Sequence, residues 1–600
     1  MADQGHVYEA HIHNDNYEPY FYNKQITCES FIADGGRETE SLNGFWNFHI
    51  DPYDTCLRVK WYEEIYKDIG GRRLPVDFNF DQWEKVMVPS CWNVLEDKYL
   101  YYEGPAVYTR KFHYRAKGEE RVFLKIDASN YDGKIILNKR YLGVHKGGST
   151  PYVLEITKYL EDENRIMAVV DNTRKSTNVP CRNFGWFNYG GLYRDIELTR
   201  VPFTFIKNFR VSLVPGSSGK KIKASIMVDG PDSEENAELR IDELNISHTF
   251  EVKNGYGETE IDASPELWDP DNPRLYRIEI HYQEDTVQDE VGFREIAVKE
   301  KDIYLNGRKL FLRGISCHED SPVNGKCLSQ EEMEENIRLA KDLNCNFIRL
   351  AHYPHSEKMA RLADRMGIML WEEIPVYWAV DFPNPVTYQD AENQLSELII
   401  RDINRASVII WCIGNENADV DDRLNFMRNL VKKAHELDDT RLVTAACMVD
   451  QFKTMVNDRL AEYLDFVSVN EYYGWYIPYF KKLIRLFEKS HIDKPVVISE
   501  FGADGCSNVR GTIDDLGTED CQLEFYKKQL GMLKNIEVIN GICPWSLFDY
   551  RCPRRINELQ NGINIKGLLS YDKQHKKLVY DYVKQFFQEI KDSSSEESYV

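Results

Sequence analysis

Two glutamates stand where they could break a glycosidic bond: Glu416, closing Trp411-Cys-Ile-Gly-Asn-Glu416, and Glu500, closing Val496-Val-Ile-Ser-Glu500. Each follows an apolar, β-prone run. The C-terminal ends of strands are where a (β/α)8 barrel exposes its reactive side chains. A pair of carboxyl groups facing one cavity suits acid-assisted glycoside cleavage: one protonates the leaving oxygen while the other attacks the sugar or activates water. A single strand-end glutamate carries little weight, since caps and surfaces use the same residue. Two of them, about three strand–helix units apart, carry more.

Other polar residues gather at similar positions: His318-Glu-Asp320, Arg349 and His352, Glu372-Glu373, Asn470-Glu-Tyr-Tyr473, and the polarisable Trp545. Buried polar groups without partners are costly, so a lined cavity explains this decoration better than a sealed core. The elements that must position these residues begin at about 299. Strand candidates lie near 311–315, 347–350, 368–371, 408–413, 442–445, 466–469, 496–499 and 539–545, with amphipathic helical stretches between them. Ser329-Gln-Glu-Glu332 is a capping box opening one such helix, whose apolar face is Met333, Ile337 and Ala340. Eight βα units in this span predict a TIM barrel over 299–592.

Upstream the period is that of strands. Residues 1–200 carry short alternating runs broken by Gly, Asn, Asp and Pro, as in Gly44-Phe-Trp-Asn-Phe-His-Ile50, and predict a jelly-roll-like β-sandwich. Lys134 to Leu142 reads as a hairpin turning at Asn138. Residues 201–298 are again all-β and more charged, with the length of an immunoglobulin-like sandwich. The fold class is therefore multidomain, two N-terminal β-sandwiches followed by a C-terminal (β/α)8 barrel. The Ser/Glu-rich stretch 593–600 is expected to be a disordered tail.

The chain's 600 residues are 42% hydrophobic and 12% aromatic, enough for several large cores. A formal charge of −23 disfavours nucleic acid and anionic membranes as partners, and no basic run offers a local exception. Thirteen scattered cysteines without C-x-x-C or metal-ligand spacing read as reduced thiols, and no metal site or cofactor is expected. The polar N-terminal 1–20 lacks the apolar core of a signal peptide, so a cytoplasmic location is expected. No stretch approaches the roughly 20 apolar residues of a membrane span.

With the domain order, Asn415-Glu416 and Glu500, two further stretches complete a pattern: Gly185-Trp-Phe-Asn-Tyr-Gly-Gly-Leu-Tyr-Arg194 and Cys317-His-Glu-Asp320. Together they resemble glycoside hydrolase family 2 over essentially the whole chain. The resemblance implies Glu416 as acid/base and Glu500 as nucleophile of a retaining reaction, with the carboxyl groups about 5–5.5 Å apart. It implies Asn415 at the sugar's 2-hydroxyl, Arg349 beside the nucleophile with His352 in support, Tyr472 near the nucleophile and Tyr476 near the far end of the sugar. Trp545 would floor the sugar site, and His318 would reach a ring hydroxyl. Family members are commonly homo-oligomers.

Asn564-Ile-Lys566 resembles the Asn-x-Lys signature of the family's β-glucuronidases, where asparagine and lysine bind a uronic acid's carboxylate. The expected substrates are small-molecule or oligosaccharide glucuronides. Two departures bear on the epimer: Gly185 stands where those enzymes place aspartate, and Gln560 where they place arginine. Arg554 or Arg555 is the candidate to compensate for the missing arginine. A β-galacturonidase or β-galactosidase of the same family is the alternative, and a carbohydrate-binding pseudoenzyme a more distant one. The connection from Pro375 to about Asp390 is short, which predicts an open mouth.

Overall fold

The computed structural model describes residues 24–68, 70–115, 118–231 and 234–596. The N-terminal stretch 1–20 and the last four tail positions lie outside them. The described residues form two compact units. One comprises Arg37–Arg174, Asn188–Phe203 and the segment before Ala33; the other runs from Thr204 onward and includes Ala33–Gly36 and Lys175–Phe187.

In the first unit, alternating apolar residues build two antiparallel sheets. The larger runs in the order Glu84–Val88, Gly44–Ile50, Pro105–His113, Glu163–Asp171, Asp132–Leu137, Arg140–Lys146. The smaller contains Thr39–Ser41, Ile196–Pro202, Glu120–Ile126 and Tyr152–Glu155. Trp46, Phe48, Leu124, Ile135, Ala168 and Leu198 meet in one core. The hairpin expected near Asn138 is present. Asn138 (φ 47°) and Lys139 (φ 67°) both take the left-handed conformation that a two-residue turn between twisted strands requires.

The second unit opens with seven antiparallel strands between Phe205 and Val291 around Val211, Ile226, Leu239, Ile278 and Val287. This immunoglobulin-like domain is bonded to the barrel that follows. Trp268 Nε1 donates to the Asp364 carbonyl at 2.9 Å, and Arg294 donates to the carbonyls of Ala406, Val408 and Thr440 at 3.2, 2.7 and 2.7 Å.

A small antiparallel sheet, Ile296–Lys299 with Asp302–Leu305 and Arg308–Leu310, leads into the closed barrel. Its strands are β1 (Leu312–Cys317), β2 (Phe347–Leu350), β3 (Met369–Glu373), β4 (Val408–Asn415), β5 (Leu442–Cys447), β6 (Val467–Asn470), β7 (Val496–Glu500) and β8 (Ile539–Ile542). All neighbours are parallel, and Leu312 opposite Gly541 closes the ring. Phe347, Trp371, Ile410, Phe466 and Val497 fill its floor. Gly314 is required there, because a Cβ would sit 2.1 Å from the Phe347 ring.

Helices alternate with the strands. In α1 (Gln330–Asp342) the predicted capping box forms: Ser329 Oγ accepts from Glu332 N at 3.2 Å, and Glu332 Oε2 accepts from Ser329 N at 2.8 Å. After β5 a 3-10 turn, Arg459–Glu462, takes the place of an α-helix. The last helix, Leu578–Glu596, extends four residues into the stretch expected as a tail, and the rest of that stretch lies outside the described residues. Ser593 Oγ donates back to the Glu589 carbonyl at 2.9 Å, the local bond by which serine can remain helical.

Candidate active site

β4 is wholly buried and ends in Asn415. Successive side chains on a strand point to opposite faces, so Asn415 and Glu416 could not share a cavity on a regular strand. Glu416 breaks the pattern with φ 53°. As a result Asn470 Nδ2, at the end of β6, donates to both Asn415 Oδ1 (3.1 Å) and Glu416 Oε1 (3.0 Å). Trp378 Nε1 donates to Glu416 Oε2 at 2.7 Å. Burial raises the Glu416 pKa above the ordinary carboxyl value. The charge of Glu500 adds to the rise, while the Trp378 and Asn470 hydrogen bonds oppose it.

Glu500, at the end of β7, meets different neighbours. Its Oε1 accepts from Arg349 Nη1 at 2.7 Å and its Oε2 from Tyr472 Oη at 2.9 Å, with His352 Nε2 at 3.6 Å. Arg349 is fully buried at the end of β2. Its Nε lies 3.0 Å from Glu373 Oε1, and its Nη2 donates to Asn415 Oδ1 at 2.8 Å. One guanidinium thus joins the ends of β3, β4 and β7. Burial disfavours its charge, but Glu373 and Glu500 outweigh that and push its pKa upward. It remains a cation, and Glu500 has a permanent counter-charge.

Both glutamates line one cavity of about 900 Å³. His352, Tyr377, Trp378, Tyr472, Tyr476, Trp545, Asn564 and Lys566 share its wall. Trp545 stacks on His352 at 4.9 Å. The amide of Asn415 donates to no described residue through Nδ2, which leaves that group for a ligand. His318, like Asn415, is buried and not among the residues lining the cavity. Its ring lies 4.1 Å from that of Tyr550 and edge-on to Trp545 at 5.3 Å, with Nδ1 3.2 Å from Tyr353 Oη. The Tyr550 and Trp545 rings stand in the cavity wall.

The Asn-x-Lys segment also folds inward. Asn564 Nδ2 donates to Tyr550 Oη at 2.9 Å, and its Oδ1 accepts from Lys566 N at 3.1 Å. Lys566 is buried, its ammonium 4.8 Å from the centre of the Tyr476 ring and paired with Asp504. The second oxygen of Asp504 accepts from Gln560 Nε2 at 2.7 Å.

Three residues at the cavity were not singled out from the sequence: Trp378, Tyr377 and Asp504. Gly185 gives the signal for one of them. A Cβ at Gly185 would lie 3.0 Å from Tyr377 Oη, so that hydroxyl occupies the space a side chain at 185 would take. Glu471, buried in the cavity wall and held by Tyr473 N at 3.1 Å and by Gln529, is pushed up to about 8 by its burial.

The arrangement pushes the Glu416 carboxyl toward its protonated form and sets the Arg349 cation against Glu500, at one cavity. Family comparison agrees with that chemistry. Residues 39–202 match the model for the sugar binding domain of glycosyl hydrolases family 2, 205–294 match the family 2 model itself, and 296–530 match the family's TIM barrel domain. A β-glucuronidase from Paenibacillus borealis is 26% identical over 590 residues, covering 90% of this chain and 95% of the relative. Among solved structures, a β-galacturonidase from Eisenbergiella tayi bound to galacturonate superposes with TM-score 0.80 at 26% identity, covering 92% of this chain and 97% of that one. A β-glucuronidase from Dictyoglomus thermophilum gives TM-score 0.77 at 26% identity, with coverage of 92% and 97%. The chain is a glycoside hydrolase and belongs to glycosyl hydrolase family 2.

Proposed function

We propose that this chain is a retaining, exo-acting β-glucuronidase. The observation that carries the reading is the asymmetry of the two carboxyl groups around one cavity. Glu500, held by Arg349 and Tyr472, attacks the anomeric carbon as a carboxylate. Glu416, its pKa raised by burial and by the charge of Glu500, gives its proton to the departing oxygen. When Glu500 becomes an ester its charge disappears, the Glu416 pKa falls, and Glu416 can take a proton from water in the second step. Asn415 Nδ2 is positioned for the 2-hydroxyl, Trp545 for the sugar's apolar face, and Asn564 with Lys566 for the carboxylate end. No step calls for a cofactor.

The named activity of the Paenibacillus borealis and Dictyoglomus thermophilum proteins supports the uronide reading. A galacturonide reading is favoured by one observation: the chain lacks a side chain at 185, offers the Tyr377 hydroxyl instead, and resembles a solved galacturonidase equally well. Thirteen cysteines scattered without paired spacing fit work in a reducing, cytoplasmic compartment.

A panel of 4-nitrophenyl β-D-glucuronide, galacturonide, galactoside and glucoside tests the substrate. Uronides should turn over fastest, and faster hydrolysis of either neutral hexoside would overturn the assignment. A 2-deoxy-2-fluoro glucuronyl reagent should label Glu500, and Glu500→Gln should reduce kcat by roughly 10⁴-fold or more.

A further inference from the structure

Selecting a carboxylate requires net positive charge at one end of the cavity, and Lys566 does not supply it alone. Its ammonium is already matched by Asp504, which Gln560 holds in place at 2.7 Å. To an arriving anion this pair is close to neutral. Arg555 lines the same cavity and differs. Its Nη1 donates to Tyr476 Oη at 3.1 Å, while its Nε is buried without a hydrogen-bond partner. No carboxylate among the described residues lies within ion-pair distance of it. In a chain with 98 acidic and 75 basic residues, a half-buried arginine left without an acid is an uncommitted anion site.

Position supports the same reading. The Glu500 carboxylate accepts from Tyr472, whose ring lies 5.2 Å from that of Tyr476. Tyr476 in turn meets Lys566 at its ring and Arg555 at its hydroxyl. The path from nucleophile to cation therefore crosses two aromatic rings that stand along the side of a single sugar. Arg554 is elsewhere: its guanidinium lies 4.4 Å over Trp378, the residue bonded to Glu416, which puts it on the leaving-group side.

We propose that Arg555 is the specificity-determining cation for the substrate's carboxylate, with Lys566 and Asp504 beside it as a nearly neutral hydrogen-bonding pair. The proposal rests on the uronide reading above. A planar guanidinium can present two parallel N–H groups to a carboxylate, which an ammonium cannot. The contact exists in ground and transition states alike, so its loss should raise KM far more than it lowers kcat.

The experiment compares the binding of uronic isofagomine with that of neutral isofagomine, by calorimetry, on the full chain. Arg555→Gln should weaken the uronic ligand by about 20- to 100-fold and the neutral one by less than about threefold. Arg555→Lys keeps the charge without the fork and should lose about five- to tenfold on the uronic ligand; it replaces the glutamine variant should that one not fold. Equal loss on both ligands, or an unchanged uronic affinity, overturns the role of Arg555. If the wild-type enzyme itself shows no preference for the uronic ligand and cleaves only neutral hexosides, the uronide reading falls and this proposal with it. A wild-type preference that survives Arg555→Gln removes this proposal alone.

Discussion

At Glu416, Trp378 and Asn470 each donate a hydrogen bond to the ionised form, and both therefore hold the pKa down against burial and the charge of Glu500. Replacing Trp378 by Phe removes one of those bonds and should raise the Glu416 pKa further. Because the acid form of Glu416 is the active one in the first step, the alkaline limb of kcat/KM should move to higher pH, as a pH–rate profile on an aryl glucuronide will show. A limb that moves down or stays in place would contradict the hydrogen-bonding account. The two carboxyls proposed to be catalytic were readable from sequence because each follows an apolar strand. Asp504 was not, and Arg555 could not be told from Arg554, because what sets them apart is a partner placed by the folded backbone: Lys566 lies 62 residues beyond Asp504, and Tyr476 lies 79 residues before Arg555.

Among elements, the contact between the immunoglobulin-like domain and the barrel depends on Arg294. Burial, with the like charge of Arg441, lowers its pKa to about 9, and its donors satisfy three carbonyls at the loops entering β4 and β5. Arg294→Met should remove this donor from the Ala406 and Thr440 carbonyls, while Val408 keeps Arg441 Nε at 2.9 Å, and cost about 2–4 kcal/mol, seen as a lower thermal midpoint of the transition that includes the barrel. An unchanged midpoint would mean that water or a shifted backbone replaces the guanidinium. The strands themselves were legible, since all eight fall within a few residues of their expected positions. The end of the final helix was not, because serine is a weak helix former and the run Ser593-Ser-Ser595 reads as a stop, whereas the helix runs on to Glu596.

For the whole molecule, a charge of −23 opposes the approach of the anionic substrate proposed to meet Arg555. The two effects act over different distances. Salt at about 0.15 M screens beyond roughly 8 Å and leaves short contacts largely intact. Raising NaCl from about 10 to 150 mM should therefore increase kcat/KM for a glucuronide by about twofold and leave a neutral glycoside unchanged. A steady fall for the uronide alone would show that local attraction dominates at every distance.

The segment Lys175–Phe187 groups with the barrel unit although more than a hundred residues separate it from β1. It brings Gly185 to the cavity wall and sets Trp186 5.7 Å from His352 and 5.1 Å from Tyr377. A minimal catalyst cut at the start of the barrel would lose part of its own pocket. Any exchange of the leading domain between relatives has to carry this strap along, or forfeit the site.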